Sequence, residues 1–232
     1  MSGQQTEKLH KVIDKVLELF PIENIPLKGL SPFEALVAVI LSQRTSRENV
    51  RKALERFRER FRSVDEVAEA SVREIGASIK PAGLWRMKAP RIRLIARQVL
   101  ELGGLEKILE LPYEDAKRIL SSMKGIGPKT ADVFLMFMRG EPVLPVDTHI
   151  FRVMRRLGFA GERDGYEGLR RKLEEATKPE KRIKAHLALI EFGREVCRAR
   201  NPRCDTCPFQ SFCGFHRGRG YKASVEKSYH GR

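Results

Sequence analysis

Cysteine is scarce in this sequence. The 232 residues include only four, and none precedes Cys197. A disulfide scaffold spreads its cysteines through a small secreted domain, so this distribution argues against that class. All four lie in one short stretch, at Cys197, Cys204, Cys207 and Cys213, which indicates a metal-binding loop instead.

Long apolar runs and an excess of acidic residues are missing too. No apolar run approaches the length that spans a bilayer, and no basic and apolar leader resembles a signal peptide. The net charge is +15, which indicates a polyanionic partner. Nucleic acid is the first candidate, and a membrane surface is the rival that the lack of apolar segments disfavours. We therefore expect a soluble, cytosolic protein with no membrane partner.

Alternating strand patterns are not found, whereas helical periodicity extends along the chain. In the segment EKLHKVIDKVLELF, apolar residues from Leu9 to Phe20 share one face. The next helix, SPFEALVAVILSQ, opens with an N-cap Ser31 and is apolar nearly all round, so we expect it to be buried. Further helices are predicted around residues 46–62, 87–102, 113–122, 129–139, 147–158, 164–176 and 181–196. The predicted fold class is all-α.

Two segments depart from the helical pattern. The stretch RGEPVLPVDTHIF, residues 139–151, contains two prolines and a glycine, which predicts an extended crossing and a candidate domain boundary. The C-terminal tail, residues 217–232, is basic and poor in apolar residues. That composition is typical of a loosely ordered or DNA-contacting segment.

The stretch MKGIGPKTADVF, residues 123–134, places a glycine turn between two helices. Nucleotide-binding loops need a strand before the glycines, so the helical setting excludes them. Two interpretations remain, a plain helix–helix turn and a grip on the DNA backbone. Glycines let backbone N–H groups approach a phosphate, and the following helix N-terminus adds a favourable dipole. Pro128 in the first helical turn, a nearby lysine and the net charge favour the DNA grip.

Three motifs in order resemble one known family. MKGIGPKTA resembles the helix–hairpin–helix of the DNA glycosylase superfamily, and VDTHIFRV supplies the aspartate that follows it there. The cysteine spacing resembles the cluster loop of endonuclease III. The resemblance runs from SPFEALVAVILSQRT, residues 31–45, to Cys213. Two departures are Met123-Lys124, where the family often has Leu-Pro, and LSQRT, one residue shorter than the common form.

The resemblance implies a two-lobed architecture. Residues 26–140 would form a helical-barrel domain with the hairpin near 124–128. Residues 1–25 and 141–216 would form a second helical domain with the cluster loop 197–213. Duplex DNA carrying a damaged base or an abasic site would lie in the cleft between them. A monomer would suffice, acting at the nucleoid of a prokaryotic cell.

The resemblance also assigns chemistry to Lys129 and Asp147. An amine nucleophile can displace a base and form an imine with the opened sugar, after which the strand breaks by β-elimination. A hydroxyl or water cannot form that imine, so a lysine here implies a glycosylase that also nicks. Lys129 would be the nucleophile, and a helix N-terminus disfavours its ammonium form. Asp147 is predicted to be an N-cap before THIFRVMRRL, a role compatible with that of the catalytic carboxylate.

A base-excision enzyme must extrude a nucleotide and fill the hole left in the duplex. Gln43 resembles the family's glutamine that enters the duplex; its alternative is an ordinary residue at a helix end. Leu84 resembles an intercalating leucine; its alternative is a small-core leucine beside Trp85. The full predicted set of DNA-binding residues is Gln43, Leu84, Lys124, Gly125, Gly127 and Thr130.

The cysteine loop admits two metals on spacing alone. Structural zinc favours two close pairs, whereas only Cys204 and Cys207 form such a pair here. A compact loop with Pro202 and Pro208 also suits an iron–sulfur cluster. The resemblance implies a [4Fe–4S] cluster held by the four cysteines. Three arginines in the loop, Arg198, Arg200 and Arg203, would then meet phosphates or form a solvated basic face.

The resulting functional expectation is base excision DNA repair. The chain would be a DNA N-glycosylase and abasic-site lyase that removes oxidised pyrimidines. One alternative is a glycosylase for T or U mispaired with G. A second is a non-enzymatic DNA-binding module that uses hairpin and cluster only as grips. A third is a zinc-stabilised nucleic-acid protein.

Overall fold

The computed structural model describes residues 1–161 and 163–218, and across these residues every regular element is a helix. The all-α prediction is therefore confirmed. The α-helices are α1 Gly3–Leu19, α2 Pro32–Leu41, α3 Arg47–Arg60, α4 Val64–Glu69, α5 Val72–Ile79, α6 Trp85–Glu101, α7 Glu106–Glu110, α8 Tyr113–Ser122, α9 Pro128–Arg139, α10 Thr148–Leu157, α11 Tyr166–Glu175, α12 Arg182–Glu195 and α13 Gly214–Arg217. Short 3-10 turns occur at Lys80–Ala82, Pro179–Lys181 and Cys204–Thr206. The predicted basic tail lies outside the described residues from residue 219 onward.

Four short helices were not predicted from the sequence: α4, α5, α7 and α13. They contain six, eight, five and four residues, too few to establish a helical period. Local capping starts two of them. Ser63 caps α4. At α5, the Ser71 hydroxyl accepts from the Glu74 N–H and the Glu74 carboxylate accepts from the Ser71 N–H, forming a capping box.

One compact unit comprises Asn24–Pro142. Its core surrounds α2, in which every residue from Ala35 to Leu41 is buried, as the nearly all-round apolar sequence predicted. The helices α3, α6 and α9 pack on α2, and α4 and α5 pack on α6. The hairpin between α8 and α9 therefore projects from a core assembled around one buried helix.

The other unit joins Met1–Glu23 to the described residues from Val143 on. Here α12 packs against both α1 and α10, so the N-terminal helix is part of a core made mainly by the second half of the chain. Phenylalanine rings extend this core to the cysteine loop. Phe192 meets Phe20 and Phe209 edge to face, with ring centroids 6.1 and 5.5 Å apart.

The segment between α9 and α10 carries no regular structure, in agreement with the predicted extended crossing. Gly140 ends α9 in the left-handed region at φ 69°, where glycine is favoured. Beyond it, the Leu144 N–H donates to Glu174 Oε1 at 2.9 Å, and the Pro145 carbonyl lies 2.8 Å from buried His186 Nδ1. These contacts hold the chain leading into α10.

Among the described helices, none is long and apolar enough to cross a membrane.

Candidate active site and cluster loop

The hairpin is a tight turn anchored by Ile126. Met123 and Ile126 are buried, and the Ile126 N–H donates to the Met123 carbonyl at 2.9 Å. Gly125 has φ 102°, and a Cβ there would stand 2.9 Å from Cγ of Arg91. Glycine is therefore required at this position both for its backbone conformation and for the close approach of a side chain.

The hairpin is also bonded to α6. The Lys124 N–H donates to Gln98 Oε1 at 2.9 Å, while Gln98 Nε2 donates to the Lys124 carbonyl at 3.4 Å. Among the hairpin residues predicted to contact DNA, Lys124, Gly125 and Gly127 are exposed. Thr130 differs, because its side chain is buried and its N–H donates to the Gly127 carbonyl. The accessible edge of the turn is thus mainly backbone.

Lys129 is the second residue of α9, directly after the glycine turn, and is half-buried. One turn further along α9, Asp132 is completely buried. Its Oδ1 accepts a hydrogen bond of 2.6 Å from the Tyr113 hydroxyl, and its Oδ2 lies 3.1 Å from Lys117 Nζ. This network joins α8 to α9 one turn after Lys129. It could not be predicted from the sequence, since an ion pair between residues fifteen apart has no local signature.

Asp147 is the N-cap of α10, as predicted. Its Oδ1 accepts from the Ile150 N–H at 2.8 Å, which fixes the carboxylate at the start of the helix. His149 follows, half-buried, and its burial lowers the pKa of the imidazole, while the charge of Asp147 opposes that shift. Because the Arg152 Nη2 atom 3.1 Å from His149 Nδ1 can only donate, Nδ1 is the acceptor.

Arg152 connects the Asp147 helix to the cysteine loop. Besides meeting His149, it donates to the Gly193 carbonyl at 2.7 Å and to the Cys197 carbonyl at 2.9 Å. Gly193 permits this approach, because a Cβ there would stand 2.9 Å from Cβ of His149. One arginine therefore spans α10, α12 and the first cysteine.

The four cysteines surround one space. That space is lined by all four together with apolar side chains such as Phe192 and Val196. Over residues 1–161 and 163–218, no three His, Cys, Asp or Glu side chains are grouped to hold a single metal ion. Four thiols that line one space are the ligand set that an iron–sulfur cluster needs.

The chemistry of this loop fits an anionic thiolate cluster. Burial raises the pKa of the Cys197 and Cys207 thiols, so a bound metal must displace their protons. Arg156 offsets the negative charge that results. Its Nη1 lies 3.6 Å from Cys197 Sγ and donates to the Arg198 carbonyl at 2.6 Å, with the guanidinium 4.1 Å from the ring centroid of Phe215.

Gln43 lies just after α2 and Leu84 just before α6, both in the Asn24–Pro142 unit. Gln43 follows α2, is half-buried, and accepts a 3.0 Å hydrogen bond at Oε1 from Arg91 Nη1. Leu84 precedes α6 with φ 49° and an exposure of 45%. The small-core alternative for Leu84 is therefore wrong. An exposed leucine in a left-handed conformation is a strained surface feature of the kind found at functional sites.

The sequence comparisons decide the family. Residues 37–179 match the HhH-GPD superfamily of base excision DNA repair proteins. The chain belongs to this superfamily. Residues 197–213, from the first cysteine to the last, match the iron–sulfur binding domain of endonuclease III. Endonuclease III of Thermotoga maritima is 34% identical, with 91% of this chain and 95% of that protein covered.

Endonuclease III of Escherichia coli K12 is 33% identical over 88% of this chain and 94% of that protein. A trapped endonuclease III–DNA covalent intermediate has the same fold, with TM-score 0.80 and 29% identity over 93% of this chain and 98% of that one. A thermostable thymine-DNA glycosylase shares the fold at TM-score 0.75 and 23% identity, covering 91% of this chain and 98% of that one. Within the superfamily, the chain is an endonuclease III family member.

Family membership fixes the class of chemistry. The chain is a DNA glycosylase of base excision repair with abasic-site lyase activity. Its cysteine loop is that of a [4Fe–4S] protein. The alternative of a non-enzymatic binding module is thereby wrong, and so is the zinc-stabilised alternative.

Proposed function

We propose that this enzyme removes oxidised pyrimidines from duplex DNA and nicks the strand, with Lys129 as nucleophile and Asp147 as the catalytic carboxylate. The observation that carries the proposal is the position of Lys129, half-buried at the second residue of α9 and next to the glycine turn. The same short segment thus combines backbone N–H groups that a phosphate can approach with a lysine amine at a helix N-terminus.

The proposed covalent step begins with attack of Lys129 Nζ on C1′ of the extruded nucleotide. The new N–C1′ bond replaces the glycosidic bond, and the base leaves with that electron pair and takes up a proton. Loss of the amine proton and opening of the sugar give an imine. Removal of a proton from C2′ then expels the 3′ phosphate, which nicks the strand, and water finally releases the lysine.

Asp147 is proposed to act on the charge that develops at the sugar. Departure of the base creates oxocarbenium-like positive charge, which a fixed carboxylate stabilises without reorganising. The N-cap bond to Ile150 occupies one oxygen of Asp147 and holds the group rigidly. The same carboxylate is suited to accept the proton that the lysine amine loses.

The remaining contacts would grip and open the duplex. Backbone N–H groups of the exposed hairpin glycines, with Lys124, would bind phosphate. Gln43 would enter the space left by the extruded nucleotide, and Leu84 would act as an apolar wedge between bases. Thr130, being buried, would support the turn from inside while offering the phosphate little of its side chain.

Cys197, Cys204, Cys207 and Cys213 are proposed to hold the cluster. When bound, it would brace the loop that bears exposed Arg200 and Arg203, a basic surface for the DNA backbone. We further propose that the enzyme acts as a monomer at the nucleoid of a prokaryotic cell, where its substrate lies.

A lesion panel with borohydride trapping tests the proposal. Duplexes that each carry one oxidised pyrimidine, one G:T or G:U mispair or one abasic site are incubated with enzyme and reductant. We expect trapped adducts with oxidised pyrimidines and abasic sites, none with Lys129→Ala, and normal trapping with Lys107→Ala, an exposed lysine of α7. A trapped Lys129→Ala adduct refutes the nucleophile, and preference for mispairs favours the mismatch enzyme.

A further inference from the structure

Helix α6 holds the end of α2 through a buried cation. Lys88 is 4% exposed, and its ammonium donates to the Leu41 carbonyl at 2.8 Å and to the Ala82 carbonyl at 3.0 Å. These carbonyls lie two residues before Gln43 and Leu84, respectively. The backbone that leads to each of these two side chains is therefore tied to one nitrogen.

Arg91, one turn further along α6, reaches the side chain of Gln43. Its Nη1 donates to Gln43 Oε1 at 3.0 Å. A guanidinium has donors only, so the amide oxygen of Gln43 must face Arg91 and the amide nitrogen must face away. The Gln43 Nε2 group has no partner among residues 1–161 and 163–218, and it is not enclosed.

Arg91 is itself held in place by its surroundings. Its Cγ and Nε atoms lie at the position that a side chain on Gly125 would need, so the arginine is packed under the hairpin turn. Its Nε is buried without a partner among the described residues, and burial lowers the pKa of its guanidinium. A half-buried cation confined in this way, bonded to an amide instead of a carboxylate, calls for a functional explanation.

We propose that Arg91 is a positioning residue that sets the direction of the Gln43 amide, so that Gln43 presents an N–H donor to the base left opposite the extruded nucleotide. The inference rests on the proposed entry of Gln43 into the duplex. The bases differ in which donor and acceptor atoms their edges present, as with the O6 and N7 acceptors of guanine, so an N–H donor held in one position discriminates among them. Arg91 thereby contributes to recognition of the opposite base indirectly, through its hydrogen bond to Gln43.

The test uses single-turnover excision of an oxidised pyrimidine placed opposite each of the four bases. The variants are Arg91→Met, Arg91→Lys, Gln43→Ala, Gln43→Glu and the double variant Gln43→Ala/Arg91→Met. Arg93→Met is the matched control. Arg93 is also half-buried on α6 and bonds the Ala68 carbonyl, so its loss changes the net charge equally without altering Gln43. Thermal unfolding of each variant verifies folding.

We expect Arg91→Met to slow excision about tenfold, the scale of one lost charged hydrogen bond, and to reduce the differences between opposite bases. Arg91→Lys retains a donor and restores most of the rate, and Arg93→Met matches wild type. Gln43→Glu keeps the contact to Arg91 but removes the outward donor, so it should be as slow as Gln43→Ala. In the Gln43→Ala background, Arg91→Met should have no further effect.

Three results overturn the inference. The first is a wild-type excision rate for Gln43→Glu. The second is a wild-type rate for Arg91→Met when Gln43→Ala is slow. The third is a double variant whose rate loss equals the product of the losses in Gln43→Ala and Arg91→Met. A wild-type rate for Gln43→Ala itself is a different failure. It removes Gln43 from the proposed DNA contacts, and the role of Arg91 falls with it.

Discussion

The ammonium of Lys88 lies 2.8 Å from the carbonyl oxygen of Leu41, the last residue of α2. A lysine buried in α6 therefore binds the C-terminal end of the buried helix α2. The carbonyl groups at a helix C-terminus lack partners within the helix, and a cation is well suited to bind them. We expect Lys88→Met to destabilise folding by about 1–3 kcal/mol, because buried carbonyls lose their donor. Denaturant unfolding measures this, with exposed Lys80→Met as control. Equal stability of the two variants would contradict the assigned role.

Gly125 and Gly127 differ in what their backbones demand. Gly125 has φ 102° and faces Arg91, whereas Gly127 has φ −93° and no atom within 4 Å of the point that a Cβ would occupy. We expect Gly125→Ala to cost about 1–2 kcal/mol of folding free energy, the penalty of a left-handed alanine, and Gly127→Ala to cost much less. Thermal or denaturant unfolding of the two variants checks this order. The reverse order would show that the turn is built differently.

The buried pair of Asp132 and Lys117 makes a prediction about α8 and α9. Asp132→Asn keeps the shape and an acceptor for the Tyr113 hydroxyl but removes the charge opposite Lys117. Breaking a buried pair on one side costs about 3–5 kcal/mol. Tyr113→Phe, which removes only one hydrogen bond, should cost about 1–2 kcal/mol. Urea unfolding of both variants gives the comparison, and a milder effect for Asp132→Asn would contradict it.

His149 gives the protein a pH-dependent stability component. Burial lowers the pKa of His149 in the folded state, so the unfolded chain binds more protons as pH falls through the ordinary value of 6.5. The contribution of neutral His149 is therefore present above the unfolded pKa and is lost as pH falls toward the folded pKa. We expect the stability difference between wild type and His149→Gln to shrink on acidification. A stability difference that grows below neutral pH would contradict the lowered pKa of His149.

The cysteine loop predicts a metal content. Purified protein should hold about four irons per chain and no zinc, with the broad visible absorption of an iron–sulfur cluster. Cys207→Ser should lower the iron content and the resistance of the loop to proteolysis, while the core of α1, α10 and α12 keeps its helical content. Protein with stoichiometric zinc would refute the cluster, and unchanged iron in Cys207→Ser would remove that residue from the ligands.

Features set by neighbouring residues could be predicted from the sequence alone. Ser31 caps α2, Asp147 caps α10, and Ile126 is buried between its glycines, because capping and turn chemistry depend on residues a few positions apart. The buried helix α2 was predictable for a similar reason, since a helix apolar on all sides has no face to leave in water. The short helices α4, α5, α7 and α13 were not predicted, because four to eight residues hold too little periodicity.

The tertiary structure alone decided which polar side chains meet. Lys88 is 47 residues from Leu41 and Arg91 is 48 from Gln43, so no spacing in the sequence indicates either contact. The same holds for Asp132 with Lys117, and for Arg152 with the carbonyl of Cys197. A charged side chain in the unfolded chain is solvated by water. In a folded core that excludes water, the charge is stable only when a polar partner binds it. Neighbouring residues in the sequence were enough to indicate the longer helices, the hairpin and the cysteine loop, whereas the fold decided how those parts are held in position.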